Sequence, residues 1–209
     1  DRGERDVEIA SWKSRDASVP ATAGEVNKRY LLEVCCSEDS KLSSQSKASL
    51  GCESTRVTLA NDLTTKAGLD FCLEKLAEIP QGKGLVWISI PCTAGCPWWT
   101  RNQHYHKAQV QHQQQLDDFI KIIKNIITIS EAATYAGHKI AFEWPRYCRL
   151  LKHKLVRKLL HDHQLQQASF NGCAVDLCTE DGVPVSKPWS VHTNCFELWS
   201  ALRDQQCVC

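Results

Sequence analysis

An α/β fold built on a mostly parallel sheet is what this sequence predicts, and three observations carry the prediction. Leu85 to Ile90 is a short, uncharged, β-branched and aromatic run, the pattern of a strand buried on both faces. Lys139 to Glu143 (KIAFE) repeats it. Between the two, Leu116, Phe119, Ile120, Ile123, Ile126 and Ile127 recur at helical spacing. Strand, helix and strand in alternation are the units of an α/β sheet.

The remaining elements follow in order. Residues 1–28 are polar and mixed in charge, and are expected to form a tail or linker. Lys28 to Cys36 (KRYLLEVCC) reads as the first buried strand, and the serine-rich segment to Ser49 as a loop or the frayed start of a helix. Glu53 to Asn61 alternates well enough for a second strand, with Asp62 at its end. Thr64 or Thr65 is placed to cap a helix from Lys66 to Glu78, whose Leu69, Leu73 and Leu76 share a face. Residues 104–136 read as one long helix or two abutting ones, stopped by Gly137. After Glu143 an amphipathic helix is expected over Cys148 to His163, apolar at Leu151, Leu155 and Leu159. Its other side carries Arg149, Lys152, Lys154, Arg157 and Lys158, a pattern that is usually a solvated face and alternatively a phosphate-contacting one. Ala168 to Leu177 reads as a strand, Thr179 to Pro188 as a hairpin loop and Trp189 to Thr193 as the returning strand, with Asn194 placed to cap a last helix through Leu202.

Composition bounds the function. The length of 209 residues suits one substantial domain, which we place at 29–205 with a short tail at 206–209. A net charge of +1 directs attention to neither nucleic acid nor membrane. No apolar run is long enough to span a bilayer and no signal-peptide core is present, so an intracellular setting, cytoplasmic or nuclear and not secreted, is expected. Twelve cysteines are many, but Cys35, Cys72, Cys148 and Cys173 fall inside regular apolar patterns. They read as small buried hydrophobes of a reducing compartment rather than a disulfide framework, with Cys207 and Cys209 as terminal free thiols. A start at Asp1 and a sequence without methionine lead us to expect a piece of a larger polyprotein.

Chemistry concentrates where the two central strands end. In open α/β sheets ligands bind beyond the carboxyl ends of the strands. Pro91, Cys92, Cys96, Trp98, Trp99 and Arg101 follow the first of these strands; Trp144, Pro145 and Arg146 follow the second. Lys187 and Trp189 lie in the closing hairpin. Four tryptophans, 98, 99, 144 and 189, are therefore expected to line one crevice, the alternative being that they cap the core.

These segments carry a family resemblance. SIPCTAG (89–95) resembles the Pro-Cys motif of DNA cytosine-5 methyltransferases, and AFEWPR (141–146) resembles their Glu-Asn-Val motif. LLEVCCSEDS (31–40) and GCESTRVTLANDL (51–63) stand where that family has its first two cofactor motifs, and LCTEDGVPVSKPW (177–189) resembles its Gly-Val-Pro-Gln segment. EWPR and KPW also resemble modules of retroelement polyproteins. The resemblance, spanning about residues 31–193, implies a Rossmann-like sheet with helices on both faces and an antiparallel last strand. It implies S-adenosylmethionine as cofactor, held by Glu33, Ser37, Asp62 and Pro91, with Trp87 or Trp98 as looser candidates. It implies DNA or RNA as the substrate, held by Trp98, Trp99, Arg101, Trp144, Lys187 and Trp189. Cys92 would be the nucleophile that makes cytosine carbon-5 reactive, and Glu143 would hydrogen-bond the ring nitrogen and exocyclic amine. Arg146, with Arg101, would hold negative charge or depress the thiol pKa. The chain departs from the family in lacking a glycine between Cys35 and Ser49, in carrying Ser186-Lys187-Pro188 where an arginine pair is expected, and in having no separate target-recognition domain.

Two other classes compete. A non-catalytic nucleic-acid-binding module would keep the fold and crevice without cofactor chemistry. A zinc-stabilised interaction domain would use Cys92, Cys96, His104 and His106, whose spacing matches no common finger; zinc is not favoured.

Overall fold

The computed structural model describes residues 28–44, 51–96, 104–205 and 207. Among them the chain runs β1 (Arg29–Val34), β2 (Cys52–Val57), α1 (Lys66–Ala77), β3 (Gly84–Ile88), α2 (His106–Tyr135), β4 (Lys139–Pro145), α3 (Lys154–Asp162), β5 (Gln166–Asn171), β6 (Pro188–Thr193) and α4 (Phe196–Arg203). The strands form one sheet in the order β2-β1-β3-β4-β6-β5. β1 to β4 pair in parallel, and β6 is antiparallel to both β4 and β5, between which it is inserted. The fold is thus α/β, mostly parallel, with a last strand running against the rest.

Alternation along the strands divides the side chains between two faces. Leu32, Val34, Val86, Ile88, Ile140 and Phe142 meet Leu69, Cys72 and Leu76 of α1, Ile123 and Ile126 of α2, and Val156 and Leu159 of α3 in the main core. The other face holds a smaller cluster, Ala141, Phe170 and Val191 with Leu85, Trp87 and Trp189, covered by Leu198 and Leu202 of α4. Helices therefore lie on both faces. No helix among the described residues is long and apolar enough to cross a membrane.

Local chemistry sets the element ends. Thr65 caps α1 by accepting a hydrogen bond from Gly68 N. α2 is a single helix, closed where Gly137 takes a φ of +73°. There His138 N reaches back to Ala133 O and Gly137 N to Thr134 O, which satisfies two of the last helical carbonyls.

Four expectations need correction. The second strand stops at Val57, because Thr58 O accepts from Asn61 N and the chain turns. The amphipathic helix over 148–163 is broken: Arg149–Lys152 is a 3-10 turn, and His153, extended at ψ 138°, caps α3 by accepting from Leu155 N. The strand from Ala168 ends at Asn171, after which Gly172–Val175 forms another 3-10 turn. Asn194 does not cap α4. Its Oδ1 accepts from Ile140 N at 2.8 Å, tying it to β4, and Cys195 takes the cap position.

Candidate functional site

β3 and β4 are register neighbours, Trp87 opposite Ala141 and Ile88 opposite Phe142, so the residues just beyond meet at one edge of the sheet. Ser89 Oγ donates to Glu143 Oε2 at 2.8 Å, and Trp87 Nε1 donates to Ser89 Oγ at 3.0 Å. Glu143 is half-buried, and burial pushes its carboxyl above the ordinary range, opposed by the Ser89 hydrogen bond and the Lys187 ammonium.

Cys92 stands at the start of a 3-10 turn, Thr93–Gly95, that is fixed on two sides. His112 of α2 meets Ala94 O at 2.9 Å. Gly95 lies so close to the next element that a Cβ there would sit 2.6 Å from Cys148 Sγ and 3.0 Å from Leu150 N. Burial, then the neighbouring Cys96, push the Cys92 thiol up; Lys187 pulls it down and Glu143 pushes it up again. Cys92, Glu143 and Lys187 thus lie within electrostatic reach of one another. Lys187 Nζ also stands 4.0 Å from the centre of the Trp189 ring.

Beside this cluster a cleft of about 830 Å³ opens over the ends of β1, β2 and β3. Ser37, Asp62 and Pro91, three of the expected cofactor residues, line it together with Thr64, Asp118, Phe119 and Ile122. Ile90, Pro91 and Thr93 face the cleft, and Cys92 stands between them in the chain without lining it. Among the described residues no lysine or arginine is in the wall. The Asp62 carboxyl is held below its ordinary range by hydrogen bonds from Thr64, the backbone one to Oδ1 at 2.8 Å.

The other expected residues are distributed differently. Glu33 is 4% exposed and lies outside the cleft wall; its Oε1 accepts from Ser40 Oγ at 2.5 Å and its buried Oε2 has no partner among the described residues. It is a neighbour of Arg56 across β1 and β2, yet Arg56 turns to Ser43, Ser44 and the carbonyls of Glu38 and Ser40, holding the segment that rims the cleft. Trp144 does not line a crevice. At 1% exposure it packs in the main core against Phe119 and Phe142, because alternation places it on the same face as Ile140 and Phe142, and its Nε1 donates to Ile90 O. Arg146 is tied through its backbone N to Pro188 O, and its buried Nε has no partner among the described residues. The cation that pulls the Cys92 thiol down is Lys187, not Arg146. Trp98, Trp99 and Arg101 lie outside the described residues, as does the tail at 1–27.

The thiols are mixed in setting. Ten described cysteines form no disulfide, and of these only Cys72 and Cys148 are buried. Cys207 is disulfide-bonded, contrary to the free terminal thiol expected. Among the described residues no three His, Cys, Asp or Glu side chains come together as metal ligands, so Cys92, Cys96, His104 and His106 do not assemble a centre.

Ser89, Asp118 and the turn at Cys35 escape sequence reading. Ser89 is found only once the register of β3 against β4 is known. Asp118 is one polar position on a long amphipathic helix. Cys35 takes a φ of +62° as the chain leaves β1 and enters the cleft wall, the left-handed conformation a glycine usually supplies. A comparison with protein-family models, with curated proteins and with solved structures finds no match to this chain.

Proposed function

We propose that this domain is a divergent S-adenosylmethionine-dependent methyltransferase acting on a pyrimidine base of nucleic acid. The observation that carries the reading is the meeting of Cys92, Glu143 and Lys187 at the ends of β3 and β4, one residue along the chain from a cleft that no lysine or arginine lines among the described residues.

The cleft fits the cofactor in volume and charge. Its size is within the roughly 300–1,000 Å³ of small-molecule sites. Two carboxylates, Asp62 and Asp118, with no lysine or arginine among the described lining residues, suit a cationic sulfonium and ammonium better than the phosphates of a dinucleotide. Asp62, Thr64 and Ser37 would bind its polar groups, and Phe119, Ile90 and Ile122 its flat apolar part. Cys35 supplies the turn conformation of the missing glycine at a cost of about 1–2 kcal/mol. When bound, S-adenosylmethionine supplies an electrophilic methyl group.

The rest follows from the chain's own residues. A charged Glu143 disfavours the Cys92 thiolate, and protonating Glu143 removes that opposition. With that proton on Glu143, Lys187 favours the Cys92 thiolate, which adds to carbon-6 of the base. Glu143 passes the proton to the ring nitrogen, leaving carbon-5 electron-rich for methylation. Loss of the carbon-5 proton, departure of the thiolate and return of the ring-nitrogen proton to Glu143 restore the ring. Trp189, with Lys187 above its ring, offers a face on which an unstacked base can rest.

Nucleic acid as the partner is supported by Arg149, Lys152, Lys154 and Arg157. All four are exposed on the segment that abuts the Cys92 turn. A second reading, the non-catalytic nucleic-acid-binding module, is favoured by one observation: the Cys35 side chain stands in the cleft wall where the family has glycine. Calorimetric titration with S-adenosylmethionine separates the two. The enzyme reading expects saturable one-to-one binding, lost in Asp118→Lys, and transfer of a labelled methyl group to single-stranded DNA or RNA that Cys92→Ala and Glu143→Gln abolish. Wild-type protein that binds nucleic acid but not the cofactor is the non-catalytic module.

A further inference from the structure

We infer that Trp87 and Ser89 form a one-way hydrogen-bond relay that fixes which oxygen of Glu143 carries the proton. The inference rests on the reading above for its purpose, and on geometry alone for its existence.

An indole N–H only donates, so at 3.0 Å Trp87 Nε1 must give its hydrogen to Ser89 Oγ. A serine hydroxyl has one hydrogen of its own. Glu143 Oε2, at 2.8 Å, is the acceptor the structure gives it. The reverse arrangement, with Glu143 donating from Oε2, would leave the Ser89 hydrogen without an acceptor at a half-buried position, a loss comparable to a whole hydrogen bond. All three donors and acceptors are satisfied in one direction only: Trp87 to Ser89 to Glu143. Oε2 is thereby committed as an acceptor, and a proton held by Glu143 resides on Oε1.

Two consequences distinguish this from ordinary packing. The relay supplies a hydrogen bond to the carboxylate form, which opposes the upward push of burial. It also occupies Oε2 as an acceptor, so that a proton on the carboxyl is offered from Oε1. Ser89 and Trp87 are positioning residues, acting through Glu143. Around that carboxyl the charged or titratable neighbours among the described residues are Lys187 from the hairpin and Cys92 from the turn; on β6 its register partner is the apolar Val191.

The test is the titration of Glu143 itself, followed by carbon-13 NMR of side-chain-labelled glutamate in the full chain and assigned with Glu143→Gln. Ser89→Ala should move the midpoint upward by about one pH unit, the value of a hydrogen bond to a charged group. Ser89→Thr, which keeps the hydroxyl, should return it to near the wild-type position. Trp87→Phe should shift it upward by less, since the serine then becomes the better acceptor; this variant keeps the test open should Ser89→Ala fold poorly. A midpoint unmoved in Ser89→Ala, or equally raised in Ser89→Thr, overturns the relay. These outcomes are independent of methyl transfer: a chain that transfers no methyl group but shows the shifts keeps the relay and loses the enzyme reading. The opposite pattern removes the relay and leaves the enzyme.

Discussion

Burying His192 in β6 leaves its Nε2 without a hydrogen-bond partner, and burial lowers its pKa from 6.5 to about 4. The folded chain therefore takes up this proton less readily than the unfolded one. Above pH 6.5 the residue is neutral in both states and costs nothing further. As pH falls from 6.5 toward 4 the unfolded state gains the proton first, and on the order of 3 kcal/mol of stability is lost. His138 and His163, also lowered by burial, act in the same direction. Glu143 acts in the opposite one: its raised pKa means that its share of stability is present at low pH and declines as pH rises through the carboxylate range. Urea midpoints measured at pH 7 and pH 4.5 should fall steeply for the native chain. The fall should be clearly smaller for His192→Gln; an equal fall in both would show that other groups govern acid stability.

The turn that carries Cys92 depends on the absence of a side chain at Gly95. An added Cβ would meet Cys148 Sγ at 2.6 Å, Leu150 Cγ at 2.7 Å and Leu150 N at 3.0 Å. The first two belong to side chains, the third to backbone that is itself held, since His153 N bonds to Leu150 O. Gly95→Ala should therefore destabilise the fold by about 1–3 kcal/mol, as overpacking does. Adding Cys148→Ala should recover only part of the loss, because the Leu150 contacts remain. Denaturant unfolding of the single and double variants measures this, and full recovery in the double variant would place the whole clash on the thiol. The same close approach explains why the helix expected over 148–163 is two pieces. Cys148 and Leu150 serve the turn and the core together, and the chain must re-aim at His153, packed edge-on to Phe119 at 5.2 Å, before α3 begins.

At the scale of the whole molecule the net charge of +1 hides an uneven distribution. Lys66, Lys75, Lys121, Lys158 and Arg203 are each paired with a nearby carboxylate. Arg149, Lys152, Lys154 and Arg157 are exposed within nine positions, and a phosphate backbone laid along them would reach the Cys92 turn. Binding of a single-stranded oligonucleotide should weaken with salt. Replacing these four by glutamine should lower the log–log salt slope by roughly 3, about 0.7 for each lost phosphate contact, and Cys92→Ala should leave the slope unchanged. A slope unaltered by the four substitutions would return the stripe to a solvated helix face.

Much of this architecture was legible in the residues. The central strands, a helical pattern over 104–136 stopped at Gly137, a cap at Thr64 or Thr65 and a hairpin with a returning strand follow from hydrophobic period and local turn chemistry, which act over a few neighbours; that the helix is one and that Thr65 is the cap came from the structure. The sequence also determined that Cys92 and Glu143 end successive strands. Tertiary structure alone decided which groups meet there. Trp144 went to the core because strand alternation gives each residue one face. Ser89 reached Glu143, and Lys187 reached both that carboxyl and Cys92, because register and the insertion of β6 bring together positions far apart in the chain, Ser89 and Glu143 being 54 residues apart. The reason is physical: propensity is set by what is adjacent along the chain, whereas a site is set by what packing makes adjacent in space.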